Sequence, residues 1–329
     1  MISMSIYRFD SISQQTYSQL LEAIDRQQYS IQLPALIPAE QILILYKKAI
    51  SESRRGYLYQ PCSIRMLSSF FNQTVSFEIC PEAREYIKAA STVEFEIDAI
   101  VREAKRERTQ SDMVKAVHSY FVRNYRYAYN HINDTRYGSA LSVFLYRESV
   151  CEGFALAYAT VMHRIGVPCG IVLGKSSLDG QACDHAWNIV QLGNSFYHVD
   201  VTWDICTKEG SDQSGFDYLL LDDQLAQADH WWNDRSLPRC SDCTQDFYAK
   251  SGSLCWTKED CRKAVLQQLR RKKQTIYFRC TANNKAAIVN STVIPDILYS
   301  ACEEAGISIP SFQYYMNPSI GTVRYKLQT

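Results

Sequence analysis

Apolar residues recur at helical spacing through Phe154, Ala155, Tyr158, Ala159, Val161, Met162 and Ile165, and the run stops at Gly166 with Pro168 just beyond. This pattern predicts a helix over 150–165. Ser149-x-x-Glu152 reads as a capping box at its start, each side chain serving the other residue's amide. A different period follows. Asp184–Leu192 and Ser195–Thr202 are rich in apolar, β-branched and aromatic residues and flank Gly193-Asn194, the signature of a hairpin with a glycine-first type II′ turn. Pairing Leu192 with Ser195 sets Trp187 opposite Asp200. His185 and Asp200 then share one face as diagonal neighbours, roughly 7–8 Å apart. A slip of one residue in the turn would send them to opposite faces.

The flanks carry patterns of their own. Ile2–Phe9 reads as a strand, Ser13–Arg26 as a helix, and Ile31–Leu33 as a short strand leading through Pro34 and Pro38 into a helix over 38–53. Strands over Ser63–Phe71 and Val75–Ile79 surround Asn72-Gln73. A long helical stretch after Pro81 breaks near Thr109–Ser111, where Ser111 caps a helix to about Asn124. Tyr125–Arg136 is a long polar and aromatic loop, a candidate substrate wall. After the hairpin come a turn-rich stretch over Gly210–Gly215 and a short helix over Asp222–Asp229. From about Cys261 a βαββ-like unit is expected: strand Thr275–Cys280, helix Pro295–Ala305, and a hairpin over Ser311–Leu327 turning at Asn317-Pro318-Ser319. The expected division is an N-terminal mixed α/β accessory region or lid (1–83), a central core (84–260) and a small C-terminal unit (261–329).

Three positions carry candidate chemistry: Cys151 in Ser149-Val150-Cys151-Glu152-Gly153, His185 in Asp184-His185-Ala186-Trp187-Asn188, and Asp200 in His198-Val199-Asp200-Val201-Thr202-Trp203. A nucleophile, a base and an orienting carboxylate are the parts of an acyl-transfer triad. In a first helical turn the free amides and the positive end of the dipole favour a thiolate. The plainer alternative for Cys151 is a small buried apolar residue; for His185 it is a satisfied histidine in a half-buried strand. His198 falls on the same predicted face as Asp200 and is the main rival for the base. His118, His131, His163 and His230 stand in no comparable context.

These motifs resemble the core of the transglutaminase-like superfamily, a papain-related group of cysteine enzymes. The resemblance runs from Tyr137 to Asp204 through Val150-Cys151-Glu152-Gly153-Phe154-Ala155, Ile165-Gly166-Val167-Pro168, His185-Ala186-Trp187-Asn188 and Asp200-Val201-Thr202-Trp203-Asp204. It implies an α+β fold in which a helix bearing the cysteine packs on an antiparallel sheet bearing the histidine and aspartate. It also implies Cys151 as nucleophile, His185 as general base and then acid, and Asp200 as the residue that orients the imidazole. An oxyanion hole is required. The Cys151 amide is its first donor, and Tyr137 is a candidate second donor or an aromatic packing under the helix. Trp187 is a candidate for the substrate cleft, and Trp203, Trp231, Trp232 and Trp256 are aromatic candidates for its lining or for the core.

Composition narrows the class further. The chain has 329 residues, 46% of them hydrophobic, with 35 basic and 35 acidic side chains, so a sizeable core is expected and no polyanion is indicated as partner. The basic clusters at Arg102–Arg108 and Arg270–Lys273 read as solvated helix faces. No apolar run approaches a membrane span, and the start lacks a basic region followed by an apolar core. Read literally this is a cytoplasmic protein, though a chain whose signal had been removed would look the same. Twelve cysteines do not settle the compartment. Cys240-x-x-Cys243 with Cys255 and Cys261 invites zinc, but the second pair is spaced by five residues; a disulfide ranks above zinc, and unpaired thiols are the preferred reading. No cofactor and no metal are expected. Cys183, two residues from His185, is a competitor in any labelling experiment. Three Asn-x-Ser/Thr matches, at Asn72, Asn133 and Asn290, are what chance supplies. The expected partner is a peptide or protein substrate, with an amine acceptor if the enzyme transfers. Three functions stand open: hydrolysis of peptide or isopeptide bonds, transamidation at glutamine, and a non-catalytic binding module on the same fold.

Overall fold

The computed structural model describes residues 5–33, 37–80, 87–177, 181–207, 215–281, 283–308 and 311–328. Helix α1 (Ser11–Asp25) starts two residues earlier than its apolar pattern indicates, because the Asp10 carboxylate accepts from the Ser13 amide at 2.8 Å and fixes the first turn. Strand β1 (Ser30–Leu33), helix α2 (Ala39–Glu52), and strands β2 (Tyr59–Ser68) and β3 (Gln73–Ile79) follow, with an antiparallel sheet in the order β1-β3-β2. The expected strand over Ile2–Phe9 does not form where it is described. Residues 5–9 belong to no ladder, and Met1–Met4 lie outside the described residues. This segment instead covers a sheet edge. Tyr7 Oη donates to the Ile171 carbonyl at 3.0 Å and accepts from the Ile171 amide at 2.7 Å, doing with one side chain what a neighbouring strand would do. Pro34, Pro81 and most of the Gly210–Gly215 stretch also lie outside the described residues.

Helices α3 (Ile87–Ala104) and α4 (Gln110–Asn124) replace the long broken stretch. The cap of α4 is Thr109, not Ser111, since its hydroxyl accepts from the Asp112 amide at 3.1 Å. Strand β4 (Arg126–Tyr127), helix α5 (Ala140–Tyr146) and strand β5 (Glu148–Ser149) lead into helix α6 (Cys151–Ile165). Strands β6 (Cys169–Ser176), β7 (Cys183–Leu192) and β8 (Ser195–Val199), helix α7 (Val201–Cys206), strand β9 (Leu219–Leu221), helix α8 (Asp223–Ala226) and strand β10 (His230–Trp231) complete the central layer. The sheet runs β10-β6-β7-β8-β9, antiparallel throughout. The fold class expected from the sequence is the one observed: α6 packs on this sheet, buried on nearly every side, as its apolar composition requires. Asn188 of β7 donates to the Ala155 carbonyl of α6 at 2.9 Å and to the Gly170 carbonyl of β6 at 3.2 Å, tying helix and sheet at one height.

A C-terminal unit follows: α9 (Phe247–Lys250), β11 (Leu254–Cys255), α10 (Lys258–Arg270), β12 (Thr275–Cys280), α11 (Lys285–Ile288), α12 (Val293–Ala305), β13 (Ser311–Asn317) and β14 (Thr322–Gln328). The expected strand, helix and hairpin are present, joined by a parallel strand β11 and by helix α10, which carries Cys261 and ends at Arg270. One hydrophobic core runs from Ile6 to Cys240 and another from Cys255 to Tyr325. A polar network joins them. Asp217 accepts from Thr322 Oγ1 at 3.0 Å and pairs with Arg324 at 3.2 Å, while buried Arg279 pairs with Asp246 and donates to the Asp217 carbonyl at 2.5 Å. Among the described residues no helix is long and apolar enough to cross a membrane.

Candidate active site

The nucleophile candidate sits where chain crowding fixes it. Val150 is the N-cap residue of α6 and makes no side-chain cap, so the expected Ser149/Glu152 capping box is absent. Ser149 is buried, and its hydroxyl donates to the Tyr137 carbonyl at 2.6 Å and shares a 2.7 Å hydrogen bond with Ser142. Glu152 turns away to Lys47 of α2, at 2.6 Å. The carbonyl of Tyr137 also accepts from the Val150 amide at 3.0 Å. Between these groups α6 passes so closely that a Cβ at Gly153 would stand 2.1 Å from Ser149 Oγ and 2.6 Å from the Ser139 carbonyl. Gly153→Ala is therefore expected to destabilise the protein by roughly 1–3 kcal/mol and to displace the turn carrying Cys151. Denaturant midpoints and the alkylation rate of Cys151 check this.

The hairpin has the predicted register, Leu192 opposite Ser195 and Asn188 opposite Val199, and Gly193 has the positive φ (+61°) that a glycine-first turn needs. The strand, however, ends at Val199, where Thr202 was expected. Asp200 leaves the ladder to cap α7, its Oδ1 accepting from the amides of Thr202 at 2.8 Å and Trp203 at 3.1 Å. A bulge in β9, with Leu220 at φ +59° between residues paired to His198 and Val199, bends the neighbouring strand at the same point. Asp200 therefore meets His185 as a helix cap rather than as a diagonal strand neighbour. The Nε2–Oδ2 distance is 2.6 Å, and both groups are buried.

A carboxylate only accepts, so His185 Nε2 carries a hydrogen and Nδ1 is the edge left for the thiol. Cys151 and His185 line the same cleft and interact electrostatically. Burial pushes the imidazole pKa down, but the charge and hydrogen bond of Asp200, with a further contribution from Cys151, bring it up to about 10. Burial alone would raise the Asp200 pKa; the charge of His185 and the hydrogen bonds of His185 and His230 hold it well below the usual carboxylate range. The linkage has a definite sign. The stabilisation from His185 is fully present below its ordinary pKa of 6.5 and is lost as pH rises through about 10. The thermal midpoint is expected to fall across that window, with a shallower slope in His185→Gln, read by calorimetry against pH.

Of the remaining candidates, Tyr137 stacks its ring on His131 at 4.3 Å and supplies a carbonyl to the turn before Cys151. Trp187, expected in the cleft, is buried behind the imidazole, stacked on it at 5.8 Å. Its Nε1 donates to His198 Nδ1 at 3.0 Å. That bond decides the rival base. An indole N–H only donates, so His198 must hold its own hydrogen on Nε2, which faces Asp223 Oδ1 at 2.9 Å. Both nitrogens are occupied. For the same reason the group His198, Asp223 and Cys240, though compact, has no free imidazole lone pair for a metal. Cys240 and Cys243 are free, as are Cys255 and Cys261. Trp203 is buried against His185, whereas Trp231 and Trp232 line the cleft and Trp256 is exposed on the C-terminal unit.

Cys151 and His185 open onto a cleft of about 1230 Å³. It is lined by Arg8 and Phe9 of the N-terminal segment, Glu40 and Lys47 of α2, residues of β6 and β7, and the Trp231–Ser236 stretch. The sequence reading set aside His230, yet its Nε2 lies 3.1 Å from Asp200 Oδ2. A signal was present: Asp229-His230-Trp231-Trp232 repeats the acid, histidine and tryptophan of Asp184-His185-Ala186-Trp187.

Residues 98–201 match the sequence profile of the transglutaminase-like superfamily. Among solved structures, a TGase shares 17% identity with a TM-score of 0.31, over 53% of this chain and 50% of its own. A candidate cysteine protease from Cytophaga hutchinsonii shares 15% with a TM-score of 0.29, over 43% and 61%. Menin, in a structure revealing its binding site for the Mixed Lineage Leukemia protein, shares 12% with a TM-score of 0.29, over 91% and 58%. The chain thus spans less than two-thirds of each of these proteins. No curated protein matches it.

Proposed function

The chain carries a transglutaminase-like superfamily core, and on that premise we propose that it is a thiol-dependent acyl-transfer enzyme acting on amide bonds of peptides or proteins, with water as the usual acceptor. The observation that carries this reading is the placement of His185, with Nε2 on Asp200 and with Cys151 sharing its open cleft. Cys151 attacks the carbonyl carbon as its proton passes to or already rests on His185. The amides of the first turn of α6, which have no intrahelical acceptor, face the developing oxyanion. His185 then protonates the leaving amine, and water resolves the thioester with His185 as base. Residues 1–83 act as an accessory wall of the cleft, 84–260 as the catalytic core and 261–329 as a docked unit.

Water is favoured as acceptor because the cleft walls are hydrated: the Asp184 side chain is 93% exposed and that of Lys175 62%. The test is incubation with a glutamine-containing peptide library, with and without a primary amine, read by intact mass. Cleavage supports hydrolysis, amine addition supports transamidation, and deamidation supports water acting at glutamine. No mass change in any arm contradicts an acyl-transfer activity on these substrates and favours a binding module.

A further inference from the structure

The hydrogen-bond chain through Asp200 continues behind it. His230, on the edge strand β10, has a carboxylate at each ring nitrogen: Nδ1 lies 2.6 Å from Asp229 Oδ1 and Nε2 lies 3.1 Å from Asp200 Oδ2. Ionised carboxylates only accept, so both nitrogens must donate and the ring is an imidazolium. The three residues are buried, and the rings of Trp203, Trp187 and Tyr218 enclose the imidazolium at 4.7, 4.9 and 5.5 Å. The outer carboxylate is itself held: Tyr218 Oη donates to Asp229 Oδ2 at 2.7 Å, and Asn317 of the C-terminal unit donates to Tyr218 Oη at 2.7 Å. A cation taken out of water is costly to assemble. This one rests on the same Asp200 oxygen that serves His185.

We propose that His230 is a positioning residue of the triad: clamped by Asp229, its imidazolium fixes the Asp200 carboxylate and offsets part of its charge, so that His185 gives up its proton more readily than a lone histidine–aspartate pair would allow. This rests on the triad reading above. The charged and titratable groups facing His230 are Asp229 beside it, Asp200 at the start of α7, His185 on β7, His198 on β8 and Tyr218 before β9. Burial pushes the His230 pKa down, and the hydrogen bonds and charges of Asp200 and Asp229 bring it above the ordinary value. His185 and His230 stand 5.5 Å apart by ring centroids and share one carboxylate. Without the second cation the whole Asp200 charge falls on His185, which then keeps its proton to higher pH.

The test uses iodoacetamide alkylation resolved at Cys151 by peptide mass, across pH, on the full chain, with nitrogen-15 spectra of its histidines. In wild type, Cys151 is expected to react faster than exposed Cys183 at pH 6, and His230 to show both nitrogens protonated at neutral pH. In His230→Gln and in Asp229→Asn the upper inflection of the Cys151 profile, which reports His185, is expected to rise by about one pH unit. A fixed inflection in a folded variant overturns the proposal. So does a neutral His230 in the wild-type spectrum, a measurement that needs no variant to fold. Cys151 reacting no faster than Cys183 in wild type would instead sink the triad reading itself.

Discussion

Cys151→Ala is expected to reduce turnover of any amide substrate to background, a loss on the order of 10⁵-fold or more, as nucleophile removal does in other triads. The fold should stay intact. Cys151 is only half-buried, and the change deletes one sulfur at the start of a helix whose burial lies in Phe154, Tyr158, Val161 and Met162. Stability is expected to change by less than about 1 kcal/mol, so circular dichroism and thermal midpoint would be unmoved while kcat vanishes. Cys183, Cys206 and Cys62 remain present in this variant and serve as internal controls. Activity retained by it would mean that one of them, or no thiol, does the chemistry.

Asp200→Asn is expected to lower kcat by about 10⁴-fold with little change in KM, through the wrong tautomer of His185. An amide nitrogen in place of Oδ2 donates where the carboxylate accepts. It drives His185 to accept at Nε2 and to carry its hydrogen on Nδ1, facing the sulfur. The same substitution sets that nitrogen against the N–H of His230. Because Oδ1 can still accept from the Thr202 and Trp203 amides, the α7 cap survives and the structural cost is confined to the two histidines, about 1–3 kcal/mol. Kinetics against pH and denaturant titration of the same preparation separate the two effects.

The parts of the site legible in the sequence are those written in local pattern. The apolar period of α6 and its Gly166 stop placed Cys151 in a first turn, and Gly193-Asn194 gave the register of β7 and β8. What escaped was decided by contacts distant in sequence. Ser149 looks like a cap, but Tyr137 and Ser142 claim its hydroxyl, and Glu152 is drawn to Lys47. Asp200 looks like a strand residue until its own carboxylate caps the next helix. His230 lies 30 residues beyond Asp200, on a two-residue edge strand too short to announce itself by periodicity. Tyr7 looks like part of a strand, and its hydroxyl instead seals β6 at Ile171.

The central claim, covalent acyl transfer through Cys151, is met most directly by acid-quenching the enzyme during turnover of an activated N-acyl-glutamine ester and mapping the adduct by peptide mass. An acyl group on the peptide containing Cys151, released by hydroxylamine and absent from Cys151→Ala, is the predicted result. An adduct on another residue, or turnover with no adduct in wild type and His185→Ala alike, would contradict it.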